Sequence, residues 1–388
     1  MLKKFEACED KLMRIGIDAR FLGPKGIGLG RYVFELIVNL EKIDKKNEYI
    51  IFLRAENFDF YNPKNKNFKK KIADVSWYSL KEQLLLPPII AKERLDLLHV
   101  PHFNIPIFYP GKIIVTIHDI IKSEFASLSA TTRSSIIYFL KHLAYELILK
   151  IAIFRSRHVF VPSNDVAQKL IDKFKISKEK ISVTYESSSF KQVNLNGERI
   201  LKKYKIKKPY LIYVGNAYPH KNLEGIFAAL KILTDQKIDI RLINPCPRDV
   251  FYKRLTRKAK ELGLSDKVIL PGFVPDDDLI ALYQEAAAFV TATFSEGFGI
   301  PGLEAMSLGT PVVCSDIPIL REIYGDAALF FDPKNPKDIA EKVNLILTDI
   351  RLKQKLILKG KVQVKKYSWQ KMAKETLRVY KEVLSRWK

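Results

Sequence analysis

The sequence predicts an α/β protein built from two doubly wound domains. An apolar run at 286–294, a glycine-rich loop, a short helix between Pro301 and Gly309, and an apolar run at 311–314 form a strand–loop–helix–strand unit, which is a parallel crossover. A strand at 14–20 followed by glycines opens the chain in the same way. The 388 residues are 47% hydrophobic, which suffices for two cores because single domains commonly have ~100–200 residues.

Two carboxylates lie in the central crossover. Glu296 follows the strand in the loop, and Glu304 lies about one turn into the helix. Ligands of open parallel sheets bind outside the carboxyl ends of the strands, where both would lie. The backbone N–H groups of Gly297, Phe298 and Gly299, at the helix start, are expected to be available as donors. This pattern favours a ligand with many hydroxyls. Alternatively, Glu304 only complements the helix dipole and the glycines only form a turn.

The Glu-x7-Glu spacing resembles the signature of retaining glycosyltransferases of family 4, which have the GT-B fold. Further motifs occur in the family's order, so the resemblance covers the chain from about Arg14 to its end. It implies two Rossmann-like domains facing across a cleft. The implied ranges are 13–190 for the acceptor-side domain, about 372–388 for a C-terminal helix that returns to it, and 200–370 for the nucleotide-sugar-binding domain.

The composition narrows the classes of partner. The formal charge is +23, which attracts polyanions such as nucleic acid, anionic lipid or phosphorylated small molecules. The lysines are scattered, and no nucleic-acid-binding motif occurs, so we expect no nucleic acid partner. Three cysteines without a paired or metal-binding spacing fit a reducing cytoplasm. The charged segment 1–11 is not a signal peptide, and we read it as a frayed leader.

Glycines at 23, 26, 28 and 30 follow the first strand and are expected to form a loop before a helix at 31–40. Their spacing is not that of a dinucleotide site, and the strand at 49–53 runs into an arginine instead of an acidic residue. These two features argue against NAD binding. The resemblance places Gly28 near the donor phosphates and the acceptor. A plain structural turn is the alternative.

The strand at 112–119 ends in a polar pair, His118 and Asp119, at the edge where ligands bind. The resemblance implies that His118 sits over the transferred sugar, and that Asp119 orients the loop or holds the acceptor. A satisfied loop histidine is the alternative. We also expect a helix at 79–94 broken by its two prolines, and a linker at 186–197.

The long helical pattern at 131–157 carries one apolar stripe flanked by basic residues. The stripe consists of Ile136, Leu140, Leu143, Leu147, Ile151 and Phe154. We expect this stripe to face the core, with the basic face solvated. The alternative is a helix at a membrane interface, since such helices pair an apolar face with Lys and Arg.

In the second half, a strand at 209–215 leads to Asn216, His220 and Lys221 before a helix begins. Lys221 is placed to meet a diphosphate. The run resembles the family's phosphate-binding loop but departs from it, because many members carry an arginine at the position of Asn216 and others at that of His220. The diphosphate must then rely on Lys221, assisted by His220. The alternative is a surface lysine beside a helix cap.

The resemblance places the nucleotide base against the turn that contains Val274. The three aspartates at 276–278 precede a predicted helix at 279–285, where acidic residues are common, so we do not assign them to a metal site. We expect no metal and no cofactor, with a nucleotide sugar as co-substrate.

The resemblance implies transfer of a hexose from a nucleotide diphosphate sugar to a hydroxyl of a glycan or lipid-linked acceptor. The implied catalytic residues are His118, Lys221 and Glu296, with Glu304 on the ribose, Lys221 on the departing diphosphate, and Glu296 with the loop N–H groups on the sugar. It favours GDP-mannose, polysaccharide synthesis, and a cytoplasmic or peripheral inner-membrane location. The alternatives are a UDP-sugar epimerase of the same fold, and a basic module that binds anionic lipid or nucleic acid.

Overall fold

The computed structural model describes residues 12–23, 27–125 and 135–386. The predicted leader at 1–11, part of the glycine loop at 24–26, and the first residues of the long helix at 131–134 lie outside the described residues. The chain divides into two compact units. The described residues of unit 1 are 12–23, 27–123, 135–186 and 368–386, and those of unit 2 are 124–125 and 187–367.

Unit 1 contains a seven-stranded parallel sheet with the order β3-β2-β1-β4-β5-β6-β7. Its strands are β1 (Arg14–Asp18), β2 (Glu48–Leu53), β3 (Phe68–Ile72), β4 (Leu97–Val100), β5 (Ile113–Thr116), β6 (His158–Val161) and β7 (Ile181–Val183). Every residue of β4, β5 and β6 is buried. Their short apolar runs are typical of strands covered on both faces by helices.

Unit 2 contains a six-stranded parallel sheet with the order β10-β9-β8-β11-β12-β13. Its strands are β8 (Tyr210–Ile212), β9 (Arg241–Ile243), β10 (Val268–Ile269), β11 (Ala288–Thr291), β12 (Val312–Ser315) and β13 (Ala328–Phe331). The predicted crossover is present, since β11 and β12 pair in parallel. The predicted fold class of two parallel-sheet α/β domains is therefore confirmed.

Helices connect the strands in both units. In chain order the α-helices of the described residues are α1 (Ile27–Ile43), α2 (Leu80–Ala91), α3 (Ile121–Glu124), α4 (Ser135–Arg155), α5 (Asn164–Phe174), α6 (Gly197–Lys203), α7 (Leu223–Asp235), α8 (Val250–Glu261), α9 (Asp276–Glu285), α10 (Ile300–Ser307), α11 (Pro318–Tyr324), α12 (Pro336–Thr348), α13 (Ile350–Gln363) and α14 (Trp369–Arg386).

The strand order of each sheet reverses at one place. In unit 1 the reversal lies between β1 and β4, and in unit 2 it lies between β8 and β11. At such a point the connections leave toward opposite sides, which opens a crevice beyond the carboxyl ends of the two strands. The loops after β8 and β11 are therefore the natural ligand-binding loops of unit 2.

The final helix belongs to unit 1. The hydroxyl oxygen of Tyr380 on α14 lies 2.5 Å from Nδ1 of His99 on β4, and both residues are fully buried. Nε2 of His99 lies 2.8 Å from the hydroxyl oxygen of Thr116 at the end of β5. Burial lowers the pKa of His99 to about 3, so this ring is neutral at neutral pH. A buried polar chain thus anchors α14 to the middle of the sheet.

Three local predictions about helix limits are wrong. Helix α2 continues through Pro87 and Pro88, because the chain resumes its hydrogen bonding beyond them, with the N–H of Lys92 donating to the carbonyl of Pro88. Helix α1 begins at Ile27 rather than at Arg31, so Gly28 lies in its first turn and not in a loop. The three aspartates at 276–278 form the first turn of α9 instead of preceding it, where the helix dipole favours them.

The predicted inward stripe of α4 is also wrong. Leu140, Leu143, Leu147 and Phe154 are exposed, and the side chain of Ile136 lies outside those described. Ile151 is the one predicted member among the described side chains that packs, partly buried, against the core. The buried face consists of Leu149, Ala152 and Ile153, each with no exposed surface. The helix is apolar on two faces, and periodicity alone does not say which of them packs on the sheet.

Candidate active site

Lys221 and Glu296 meet at the switch point of unit 2. Lys221 lies in the loop after β8, and Glu296 lies in the loop after β11. The Nζ atom of Lys221 is 2.5 Å from Oε1 of Glu296. The backbone joins the same two loops, because the N–H of Phe294 donates to the carbonyl of His220 at 2.8 Å. The structure therefore brings together two residues that are 75 positions apart in the sequence.

The two other side chains predicted to bind the diphosphate, those of His220 and Asn216, carry no positive charge near neutral pH. Burial, together with the neighbouring charge of Lys221, lowers the pKa of His220 to about 3. The Oδ1 atom of Asn216 is buried and has no hydrogen-bond partner among the described residues. Buried polar atoms are normally paired, so this orphaned acceptor fits a site that a ligand or water completes.

Gly299 ends the second loop in the left-handed region, with φ at 94°. A Cβ there would lie 2.6 Å from the hydroxyl oxygen of Tyr324, and that hydroxyl donates to the carbonyl of Gly299 at 2.6 Å. Burial raises the pKa of Tyr324, which keeps it a donor. The side chain of Phe298 is buried and packs edge-on against Tyr367. The ring of Phe298 is therefore held by packing and is not available to a ligand.

Glu304 lies in α10 with only 6% of its surface exposed. Tyr283, on the buried side of α9, donates its hydroxyl to Oε2 of Glu304 at 3.3 Å. A buried carboxylate oriented by a phenol can accept hydrogen bonds from vicinal hydroxyls. The sequence did not reveal Tyr283, because no spacing rule links the middle of one helix to a neighbouring helix 21 residues later.

The residues that follow β9 and β10 differ in how much of their surface is exposed. Val274, after β10, is buried, so its side chain has little surface for a base, whereas the neighbouring Phe273 is 80% exposed. Asn244, directly after β9, is fully buried, and neither amide atom has a partner among the described residues. Phe273 and Asn244 both follow strands at the ligand-binding edge of the sheet, and the sequence patterns predicted neither of them.

His118 follows β5 at the carboxyl edge of the sheet in unit 1. Its Nδ1 lies 2.9 Å from Oε1 of Glu186, and its Nε2 lies 3.2 Å from the carbonyl oxygen of Pro101. The ring of Tyr32 packs edge-on against it at 4.6 Å. Glu186, predicted as the first linker residue, is instead buried beside His118. A carboxylate on Nδ1 fixes the orientation of an imidazole, so Glu186 is a candidate site residue. The serine- and asparagine-rich composition of 186–197 gave no sign of it.

Asp119 and Gly28 are the two other residues predicted for the site in unit 1. Oδ1 of Asp119 accepts the N–H of Ile121 at 3.0 Å, which holds the turn into α3. A Cβ added to Gly28 would meet no other atom within 4 Å, so packing does not require a glycine there. At Gly30, by contrast, a Cβ would lie 2.5 Å from the carbonyl oxygen of Gly23, and glycine is needed for this close approach.

The described residues contain neither a candidate metal site nor a candidate transmembrane helix. Among the residues that the structure describes, no group of three or more His, Cys, Asp and Glu could hold a metal ion. Asp278 instead accepts hydrogen bonds from Lys203 at 2.5 Å and from the hydroxyl of Tyr204 at 2.7 Å. None of the described helices has both the length and the apolar character needed to cross a bilayer.

Family models match both halves of the chain. The model described as "Glycosyl transferases group 1" matches residues 197–363, and the model described as "Glycosyltransferase Family 4" matches residues 27–186. The first match contains the switch point of unit 2, and the second contains the strands of unit 1 from β2 to β7.

The chain is also similar to individual proteins. It is 28% identical to an O-antigen chain mannosyltransferase of Salmonella typhimurium, over 81% of this chain and 86% of that one. It is 35% identical to O-antigen chain mannosyltransferase B of Escherichia coli, over 47% of this chain and 48% of that relative, so that match spans about half of each protein. The solved sucrose-phosphate synthase of Thermosynechococcus elongatus has a similar fold, with a TM-score of 0.73 at 18% identity over 96% of this chain and all of that one.

Proposed function

Because the chain belongs to the family 4 glycosyltransferases and has the GT-B fold, we propose that it transfers mannose from GDP-mannose to an acceptor hydroxyl with retention of the anomeric configuration. The acceptor is a glycan or a lipid-linked glycan. The O-antigen mannosyltransferases that resemble the chain support the choice of sugar and acceptor. The observation that carries the site is the contact between Lys221 and Glu296 at the switch point of unit 2, with Glu304 in the helix that follows the loop of Glu296.

Each of these three residues has a distinct part in donor binding. Glu304, held by Tyr283, accepts hydrogen bonds from the ribose hydroxyls. Lys221 binds the diphosphate, and its charge supplies what the missing arginines supply in other family members. Glu296 accepts from hydroxyls of the sugar once the diphosphate has drawn Lys221 away. The amino-terminal end of α10 is the positive end of the helix dipole, which favours the negative charge of a phosphate.

The transfer breaks the bond between the anomeric carbon and the β-phosphate oxygen. Negative charge grows on the departing diphosphate, where Lys221 stabilises it. The acceptor hydroxyl forms the new bond on the same face, and its proton passes to the oxygen of the departing phosphate. His118, oriented by Glu186, acts on the acceptor side in unit 1. No metal is required in this proposal, because the positive charge comes from Lys221.

We also infer that the enzyme works in the cytoplasm at the inner face of a membrane. The outer face of α4 supports this location, since Leu140, Leu143 and Leu147 are exposed there and the exposed Lys150 lies beside them. No protein named above is an epimerase or a nucleic-acid-binding module, and no feature of the site favours those alternatives.

The test is thermal stabilisation by a panel of nucleotide sugars, followed by product analysis. A ligand at a hundredfold excess over its dissociation constant stabilises the folded state by about 2.7 kcal/mol. We expect GDP-mannose to stabilise the wild type and to lose this effect in Glu304→Ala. The transferred sugar should keep its anomeric configuration. A panel without any stabilising member, or an inverted product, would refute the proposal.

A further inference from the structure

The outer face of α4 is an unusual surface. An apolar row runs along this face, with exposed fractions from 51% to 64%, and we call it the outer stripe. Its members are Phe139, Leu140, Leu143, Leu147 and Phe154. It extends ~22 Å along the helix at 1.5 Å per residue. Lys150, three residues after Leu147, lies exposed on the same face of the helix. No part of the chain that the structure describes covers the stripe, and contiguous apolar patches on soluble folds commonly mark contacts.

An open cavity of about 420 Å³ lies at the carboxyl-terminal end of the stripe. Phe154, the last member of the stripe, is also part of the cavity wall. Four cationic side chains line the cavity together with His158, and they are Arg155, Arg157, Lys180 and Arg386. The wall contains one carboxylate, that of Glu179, which accepts a hydrogen bond from the hydroxyl of Ser177.

Two of these cations donate hydrogen bonds to backbone carbonyl oxygens, which carry no net charge. Nζ of Lys180 donates to the carbonyl of Phe154 at 2.9 Å, and the guanidinium of Arg155 donates to the carbonyl of Tyr109. Burial lowers the pKa of both side chains, and the charge of Arg157 lowers each of them further. Carbonyl oxygens orient the cations without neutralising them. The cavity therefore retains positive charge that an anion can compensate.

The cavity is not part of the predicted donor or acceptor site. His158 begins β6, and Lys180 immediately precedes β7, so the cavity lies at the amino ends of these strands. His118 follows β5, which pairs in parallel with β6, so it lies at the opposite edge of the same sheet. An anion in the cavity has no direct contact with the reacting groups.

We propose that this cavity binds the phosphate of an anionic phospholipid headgroup while the outer stripe lies in the interface of the bilayer. The proposal deepens the membrane location given under the proposed function and rests on it. A bilayer satisfies both neighbouring features, because its acyl boundary covers an apolar stripe and its headgroups supply phosphate beside it. A free phosphate or nucleotide would fill the cavity but leave the stripe exposed.

The test is binding of the full chain to phosphatidylcholine vesicles with and without phosphatidylglycerol, measured by co-sedimentation. We expect binding only to the vesicles that contain phosphatidylglycerol. A basic residue at an anionic surface contributes about a fivefold change in affinity. Lys180→Glu changes the charge by two units, so it should weaken binding at least about tenfold. Arg386→Glu, at the exposed end of α14, is the second cavity variant and should behave alike.

The matched control is Lys253→Glu, an exposed position on α8 in unit 2 with the same change of net charge. It should weaken vesicle binding much less than either cavity variant. Equal losses in all three variants would overturn the site, because they would show attraction by the overall charge alone. Strong binding of glycerol phosphate by a protein that ignores the vesicles would overturn the lipid assignment.

Stabilisation by GDP-mannose is measured on the same samples and separates this proposal from the proposed function. The cavity variants should keep this stabilisation. Absent vesicle binding with intact donor stabilisation would refute the lipid site alone. A different result would refute the donor assignment alone. In that case GDP-mannose stabilises neither the wild type nor the variants, while the wild type binds the vesicles and the cavity variants do not.

Discussion

Lys221 and Glu296 form an ion pair, with 2.5 Å between Nζ and Oε1, across two loops of unit 2. Both are mostly buried, so each charge compensates the other at the place where we expect a diphosphate and a sugar. A diphosphate must compete with Glu296 for the ammonium group. The pair therefore couples phosphate binding to release of the carboxylate that we assign to the sugar.

This coupling predicts opposite effects on the binding of GDP alone. Glu296→Gln should tighten GDP binding by about fivefold, because it removes a competing charge worth about 1 kcal/mol. Lys221→Ala should weaken GDP binding and lower kcat/KM for transfer by about 10²–10³, as loss of a charge-stabilising group commonly does. Calorimetry and initial rates measure both effects. Lys337→Ala, an exposed lysine at the start of α12, is the control and should change neither.

The contact between Tyr283 and Glu304 predicts that nucleotide binding depends on the ribose hydroxyls. Tyr283→Phe removes the hydrogen bond that orients the carboxylate, and should weaken nucleotide binding by about fivefold with kcat retained. The wild type should prefer GDP to 2′-deoxy-GDP, and Glu304→Ala should bind the two equally. A preference for ribose that survives in Glu304→Ala would contradict the assignment.

Glu186 predicts an effect on turnover without an effect on donor affinity. Glu186→Gln keeps the size of the side chain but removes the charge that holds Nδ1 of His118, so kcat should fall by about tenfold. Stabilisation by GDP-mannose should remain, because the donor residues lie in unit 2. Glu198→Gln, an exposed residue of α6, is the control. Weakened donor stabilisation in Glu186→Gln would mean that the variant damages more than the histidine.

The two apolar faces of α4 predict different costs of polar substitution. Ile153→Ser places a hydroxyl in the core and removes buried methyl groups, so it should lower the free energy of unfolding by about 3 kcal/mol or more. Leu143→Ser, at 57% exposure, should cost less than about 0.5 kcal/mol. Urea unfolding measures both. A large loss in Leu143→Ser would show that the outer stripe is covered in the folded protein.

His99 predicts a loss of stability in acid. Its pKa is about 3 in the folded state and about 6.5 in an unfolded chain, so the unfolded state binds more protons between these values. The free energy of unfolding should therefore fall as the pH falls below about 6.5, by up to about 1.4 kcal/mol per pH unit. His99→Gln does not titrate and should show a shallower dependence in urea unfolding at several pH values. An unchanged slope would contradict the buried neutral ring.

Local patterns in the sequence predicted most of the fold and the residues of the candidate donor site. The apolar run, glycine loop and proline-started helix at 286–309 are decided by nearby residues, so β11, the loop and α10 follow from the chain itself. The spacing of Glu296 and Glu304, and the position of Lys221 after a strand, place all three at a ligand-binding edge for the same reason. The prediction of His118 rests on its position at the end of a buried strand.

Only the tertiary structure decided which distant side chains meet. The pairings of Lys221 with Glu296, Tyr283 with Glu304, and Glu186 with His118 join separate elements, and no spacing rule connects them. Packing likewise chose the inner face of α4, because both faces are apolar and only one matches the surface of the sheet. Sequence thus determines elements whose causes lie within a few residues, whereas contacts between elements depend on how the assembled sheet and helices fill space.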